Sequence, residues 1–342
     1  MNGKNNKNNK TDINIKPSGS YLDSLADFAS LLGTIDEADK AAKELLNETQ
    51  KSDGGSEAPT AVEADVQPKP NLDEALKMLD ELVGLDKIKS SVRSLINFVK
   101  VRKLREDNEL PNAPVSLHMV FMGNPGTGKT TVARILAEIY HAVGALTKGQ
   151  LVETDRSGLV AGYVGQTALK TTEVVKKAIG GILFIDEAYS LVPENASNDF
   201  GREAIETLLK LMEDNRGDLV IIVAGYSELM EKFICSNPGL ESRFNRYFFF
   251  EDYSSGELFE IFSAICEKNK YVLGEGAADF AREYFTDMFD TRDENFGNAR
   301  DIRNFFEDIV SVHSDRISAI ENCSVEDLTT LLTEDLKKAS LL

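Results

Sequence analysis

Positive charge is what this 342-residue sequence has too little of. Its 38 lysines and arginines stand against 57 aspartates and glutamates, a formal net charge of −19. A nucleic-acid backbone needs a basic face, so this balance argues against a general nucleic-acid binder. The acidity itself points to no partner, because solubility alone accounts for it. Cysteine is scarce as well: Cys235, Cys266 and Cys323 are scattered with no C-x-x-C spacing and read as reduced, mostly buried packing residues. His118, His141 and His313 are equally dispersed and offer no metal constellation. No stretch reaches the ~18 consecutive apolar residues of a membrane span. The N-terminal lysines have no apolar h-region behind them, so no secretory signal is read there. The expectation is a cytoplasmic protein with neither a membrane nor a nucleic-acid partner.

What is present allows two compact domains and a tail, with 42% hydrophobic residues to build their cores. Residues 1–20 are rich in Asn and Lys without apolar periodicity and read as a disordered tail. Within residues 21–50, Leu22, Leu25, Phe28, Leu31, Leu32 and Ile35 recur at helical spacing. That short helical segment either packs on the main body or docks a partner. Residues 51–70 carry Gly, Pro, Ser and Ala without a core pattern, as a linker does. From Asn71 an amphipathic pattern runs to about residue 106 and breaks at Val83-Gly84-Leu85, predicting two helices.

Short apolar runs near 117–122, 150–154, 181–185, 219–224 and 247–250 then alternate with helical patterns at 129–143, 167–179 and 201–214. Continuous apolar strands alternating with helices predict an α/β domain over 71–253, its parallel sheet buried on both faces. After Ser254 helical patterns dominate, at 255–269, 277–289, 298–319 and 324–338. They predict a second, helical domain over 254–342.

The most informative stretch is Gly123-Asn124-Pro125-Gly126-Thr127-Gly128-Lys129-Thr130, between the first apolar run and a helical one. It fits the phosphate-loop pattern G-x-x-x-x-G-K-[ST]. Glycines without a Cβ let the backbone wrap closely and aim its N–H groups at phosphate oxygens. The helix starting near Lys129 adds the positive end of its dipole. Lys129 is expected to reach the β- and γ-phosphates and Thr130 to ligate Mg²⁺, with Asn124 to Thr131 forming the cradle. Some 55 residues on, Ile182-Leu183-Phe184-Ile185 ends in Asp186-Glu187. A buried strand delivers these carboxylates to the sheet edge where α/β proteins bind ligands. Asp186 suits Mg²⁺, held through water, and Glu187 suits deprotonation of an attacking water.

With GNPGTGKT, LFIDEAYSL and PGLESRF in hand, residues 71–338 resemble AAA+ ATPases. More narrowly, they resemble the family of stage V sporulation protein K and the red-type Rubisco activases. The resemblance implies a parallel-sheet P-loop AAA+ module, a C-terminal all-helical lid, a partly disordered N-terminal extension and a ring, usually a hexamer. It implies that Arg243 is an arginine finger acting in trans, with Arg246 as its rival. It implies that Arg300 reads the phosphates from the lid, with Arg303 as its rival. Val83, Gly84 and Leu85 match the strip that binds adenine. Where the family's relatives commonly carry a polar sensor, this chain reads Gly225-Tyr226-Ser227, leaving Tyr226 and Ser227 as candidates. Tyr163-Val164-Gly165, an aromatic–aliphatic–glycine triplet, matches a pore loop that grips a polypeptide. Asp199-Phe200-Gly201-Arg202 is a candidate second loop.

The expected function is ATP- and Mg²⁺-dependent remodelling or partial threading of a protein client by a homo-hexameric ring. An ATP-dependent scaffold that threads nothing is one rival. A DNA-acting AAA+ protein is the other, and it needs a basic pore, whereas Lys170 is the first lysine after Tyr163.

Overall fold

The computed structural model describes residues 71–112, 115–163, 165–192 and 200–342. The expected tail, helical segment and linker of residues 1–70 lie outside it, as do Val164 and Asp199. Two helices come first, α1 (Leu72–Asp80) and α2 (Asp86–Asp107). The α/β layer follows with β1 (Met119–Gly123), α3 (Lys129–Ala142), β2 (Leu151–Thr154), α4 (Arg156–Leu159) and α5 (Thr167–Ala178). It continues with β3 (Ile182–Ile185), α6 (Gly201–Asp214), β4 (Val220–Gly225), α7 (Ser227–Cys235), α8 (Pro238–Arg243) and β5 (Arg246–Phe250).

The five strands pair in parallel in the order β2-β3-β4-β1-β5. Side chains alternate across a strand, so the two faces feed two cores. Met119, Phe121, Ile182, Phe184 and Ile222 face α1, α2 and α3. Val120, Met122, Leu183, Ile185, Ile221 and Val223 face α5, α6, α7 and α8. Burial on both faces is why the three central strands, β1, β3 and β4, carry no polar side chain, whereas the edge strands β2 and β5 carry Glu153 and Arg246.

The remaining chain folds as a helical lid of α9 (Ser255–Lys268), α10 (Ala277–Asp290), α11 (Ala299–Ser318), α12 (Val325–Thr329) and α13 (Thr333–Ala339). A two-stranded ribbon of β6 (Val272–Leu273) and β7 (Thr330–Leu331) joins it. Its core is aromatic: Phe262 meets Phe285 at 5.4 Å between centroids, and Tyr284 stacks on Phe305 at 4.5 Å. Leu85 packs against both this core and the sheet core beneath α1–α3.

One expected helix is corrected. Residues 324–338 do not form a single helix, because Thr330 and Leu331 leave it to pair with Val272 and Leu273. A buried ion pair secures the break. The Asp335 carboxylate accepts Leu332 N–H at 2.9 Å and Arg316 Nη2 at 2.8 Å, and Arg316 Nη2 also donates to the Thr330 carbonyl at 3.0 Å. A second correction concerns the cysteines. Only Cys266 is buried, while Cys235 is exposed and Cys323 lies between.

Candidate active site

The C-terminal edges of β1, β3 and β4 meet the lid around a cavity of about 530 Å³. Gly123, Pro125, Gly126, Gly128, Lys129, Thr130 and Thr131 form its floor, and Asp186, Glu187 and Tyr226 one wall. The opposite wall is Leu82, Val83 and Leu85 against Ile261, Ala264 and Ile265 of α9. Asn124 and Thr127, also expected in the cradle, hold the loop's shape with their side chains. Asn124 Nδ2 donates to Asp252 at 3.0 Å, and the fully buried Thr127 hydroxyl donates to the Asn124 carbonyl at 2.8 Å.

The loop's geometry fits a chain of phosphates. Gly126 stands at φ +71°, and a Cβ there would lie 2.0 Å from the Gly297 carbonyl oxygen, so no side chain is tolerated. Lys129 Nζ folds back onto the loop, donating to the Gly123 and Asn124 carbonyls at 2.9 and 2.7 Å. Burial pushes its ammonium down from the usual 10.5 to about 8, more than Asp186 can offset, and Arg300 lowers it further. An anion at this site would restore the charge. Thr130 in the floor and Asp186 in the wall line the same cavity, and both are oxygen donors of the kind a divalent cation takes.

Asp186 and Glu187 are both exposed at the end of β3. Asp186 Oδ1 accepts the Glu187 N–H at 3.0 Å, and Glu187, with a left-handed backbone at φ 47°, lines the cavity. Tyr226 lines the cavity, whereas Ser227 begins α7 outside it. Tyr189 packs against the Tyr226 ring at 6.2 Å.

The apolar end is built by an unusual turn. Gly84 and Leu85 are left-handed in succession, at φ 59° and 58°. A Cβ on Gly84 would collide with Glu257 of the lid, 2.0 Å away. The chain therefore doubles back between α1 and α2, and Val83 and Leu85 line the cavity while Gly84, between them, does not. Sequence reasoning missed the facing wall, although Ile261, Ala264, Ile265 and Lys268 stand at helical spacing and could have been read as one face.

The expected arginines separate. Arg300 and Arg303, one turn apart on α11, both line the cavity. Arg243 does not. It lies on α8, where Nη2 meets Glu213 Oε2 at 3.3 Å while its buried Nε finds no partner among the described residues. Arg246 is enclosed, with Nε donating to the Ser116 carbonyl at 3.0 Å and the guanidinium 5.1 Å from the Phe98 ring centroid. Tyr163 is 74% exposed, and Gly165 at φ +79° has open space around it.

Residues 119–252 match the family described as ATPases associated with various cellular activities (AAA), and residues 254–341 match the AAA lid domain. A CfxQ homolog from Galdieria sulphuraria is 43% identical over 276 residues, 80% of this chain and 90% of the relative. This chain belongs to the AAA+ ATPases. Within them it falls in the family of CfxQ and CbbX proteins and stage V sporulation protein K. The Bacillus subtilis stage V sporulation protein K is 39% identical, covering 78% of this chain and 82% of the relative. The chloroplastic ribulose bisphosphate carboxylase/oxygenase activase of Cyanidioschyzon merolae is 40% identical, covering 79% and 92%. This AAA+ ATPase therefore binds and hydrolyses ATP. Among its described residues no helix is long and apolar enough to cross a membrane.

Proposed function

We propose that this ATPase works as a homo-hexameric ring that couples hydrolysis to the remodelling of a protein client. The observation that carries the proposal is the position of Arg243. Arg243, which the resemblance makes the finger, lies outside its own cavity, on α8, and this supports its acting on the nucleotide of a neighbouring copy. A relative whose name is that of an activase acting on an enzyme supports a protein as client.

Within one cavity the roles follow from position. The Val83–Leu85 backbone and the α9 face hold the base, and the loop's N–H groups with Lys129 hold the phosphates. Magnesium held by Thr130 and Asp186 would neutralise charge on the β- and γ-phosphates. The Glu187 carboxylate orients a water and accepts its proton. Arg243 of the adjacent copy stabilises the charge that develops, an effect worth about 10³–10⁵ in rate for trans-acting arginines. Arg300 and Arg303 tie the lid to the phosphates from the opposite side. Tyr163, with Val164 and Gly165, contacts the client by stacking and apolar contact, which needs no particular sequence.

The test uses Glu187→Gln, which removes the base and leaves the binding groups in place. With ATP and magnesium this variant should assemble to about 226 kDa, six chains closing a cyclic ring. It should hold ATP unhydrolysed and retain a client that mass spectrometry can identify. A strictly monomeric protein under these conditions would refute the ring. If Glu187→Gln instead retains full biological function, the ATP-dependent scaffold is the correct reading.

A further inference from the structure

The joint between phosphate loop and lid contains a group of polar side chains that substrate binding does not explain. Asn298, immediately before α11, is completely buried and holds φ 52°, ψ −129°, a conformation that strongly favours glycine. Its amide is fully engaged. Oδ1 accepts the Tyr253 N–H at 2.9 Å, while Nδ2 donates to Asp252 Oδ1 at 2.7 Å and to the Phe296 carbonyl at 3.1 Å. The Pro125 carbonyl of the phosphate loop lies 3.4 Å from the same nitrogen. Glycine would relieve the backbone but make none of these bonds, so the strained residue is kept for its side chain.

Asp252 is the second member. The same Oδ1 that accepts from Asn298 also accepts Asn124 Nδ2 at 3.0 Å, and Arg292 of the lid stands 3.6 Å from Oδ2. Two further contacts run alongside. The Tyr253 hydroxyl donates to the Thr127 carbonyl at 3.3 Å, and Gly126 abuts the Gly297 carbonyl and Arg300 N–H so closely that a Cβ would overlap both. The phosphate loop is thus clasped to the start of the helix that carries Arg300 and Arg303.

We infer that Asn298, acting through Asp252 on Asn124, is a positioning residue for ATP turnover that locks the phosphate loop to the lid and thereby slows nucleotide release. This rests on the cavity being the ATP site, and it predicts an effect on nucleotide retention rather than on the chemical step. Asn124 and Asn298 do not bond to each other. They meet only at Asp252, so their effects should be coupled if the clasp acts as a unit and additive if each merely supports its own segment.

The experiment measures dissociation of a fluorescent ADP by stopped flow, together with steady-state ATPase, for wild type, Asn124→Ala, Asn298→Gly and the double variant. Each single change should speed release about tenfold, the size expected for losing one charge-assisted hydrogen bond. It should raise KM by more than it lowers kcat, because the loss falls on nucleotide retention. The double variant should release about tenfold faster than wild type, not a hundredfold. Asn298→Asp gives a second route if glycine impairs folding. It keeps the size of the asparagine and still accepts from Tyr253, but sets a second carboxylate against Asp252. Additive effects, unchanged release in both single variants, or a fall in kcat at constant KM would each overturn the clasp. If the wild-type protein itself binds no ADP or ATP, the site assignment fails along with it.

Discussion

Raising the pH should weaken nucleotide binding through one side chain. In the nucleotide-free protein burial holds Lys129 near 8 instead of 10.5. Bound phosphates supply the negative charge it lacks and raise its pKa again, so binding is linked to protonation. The free protein is mostly protonated at pH 7.5 and about 3% protonated at pH 9.5, so the Kd should rise by about 25-fold across that window. Other shifted groups near the cavity stay silent, since burial raises Tyr253 and Tyr189 to about 12. Nucleotide phosphates are already fully ionised above pH 7.5.

The sign for folding is opposite. A base whose folded pKa is depressed destabilises the fold below about 8, where it is charged in a poor environment. That cost fades as pH rises toward 10.5. The nucleotide-free protein should therefore lose this penalty while the gain in Tm on adding nucleotide shrinks. Isothermal titration of ADP from pH 7.5 to 9.5, with Lys129→Met as the variant lacking the group, reads the effect directly. A Kd constant within twofold in the wild type would refute the assignment of Lys129 as the buried cation that the phosphates recharge.

Three further outcomes follow from the geometry. Arg243→Ala should cut ATP turnover by about 10³ or more without weakening ADP binding, and mixing it with Glu187→Gln subunits should restore activity. Recovery arises where one subunit's Glu187 faces the other's Arg243, and its absence would show that Arg243 does not act in trans. Tyr163→Ala should leave thermal stability within about 0.5 kcal/mol, since the ring is exposed, and spare most ATPase activity. It should abolish remodelling of the client identified on Glu187→Gln rings, and equal loss of both activities would contradict the gripping role. Asp335→Ala should cost about 1.5–3 kcal/mol in denaturant unfolding, because it removes the charge-assisted bonds to the half-buried Arg316 and undoes the break between α12 and α13. A loss below 1 kcal/mol would show the pair to be solvated.

Much of this was legible in the chain because the signals were local. The phosphate loop announces itself through glycine spacing and Lys129-Thr130, and the strand ending in Asp186-Glu187 through its unbroken apolar run. The two-sided burial of the sheet follows from the same continuity. What stayed hidden depends on groups far apart in sequence. Asp252 and Asn298 look like loop residues until the fold brings them to Asn124, 128 residues before Asp252. Arg243 and Arg246 are three apart and equally basic, and only the packing of Phe98 and Ser116 against Arg246 tells them apart. The strand at Thr330–Leu331 lies inside an apolar pattern that reads as helix. Pairing with Val272–Leu273 and the buried Asp335 overrode that local preference.

Leu85 has one more consequence. It is at once a brick in the wall of the nucleotide cavity and a shared member of two apolar interiors, one under the sheet and one within the lid. A purine resting on that wall would act as mortar, adding flat apolar surface where the two halves of the protein already touch. Filling the cavity and welding lid to sheet would then be the same event, and each cycle of hydrolysis and release would loosen and reset that seam.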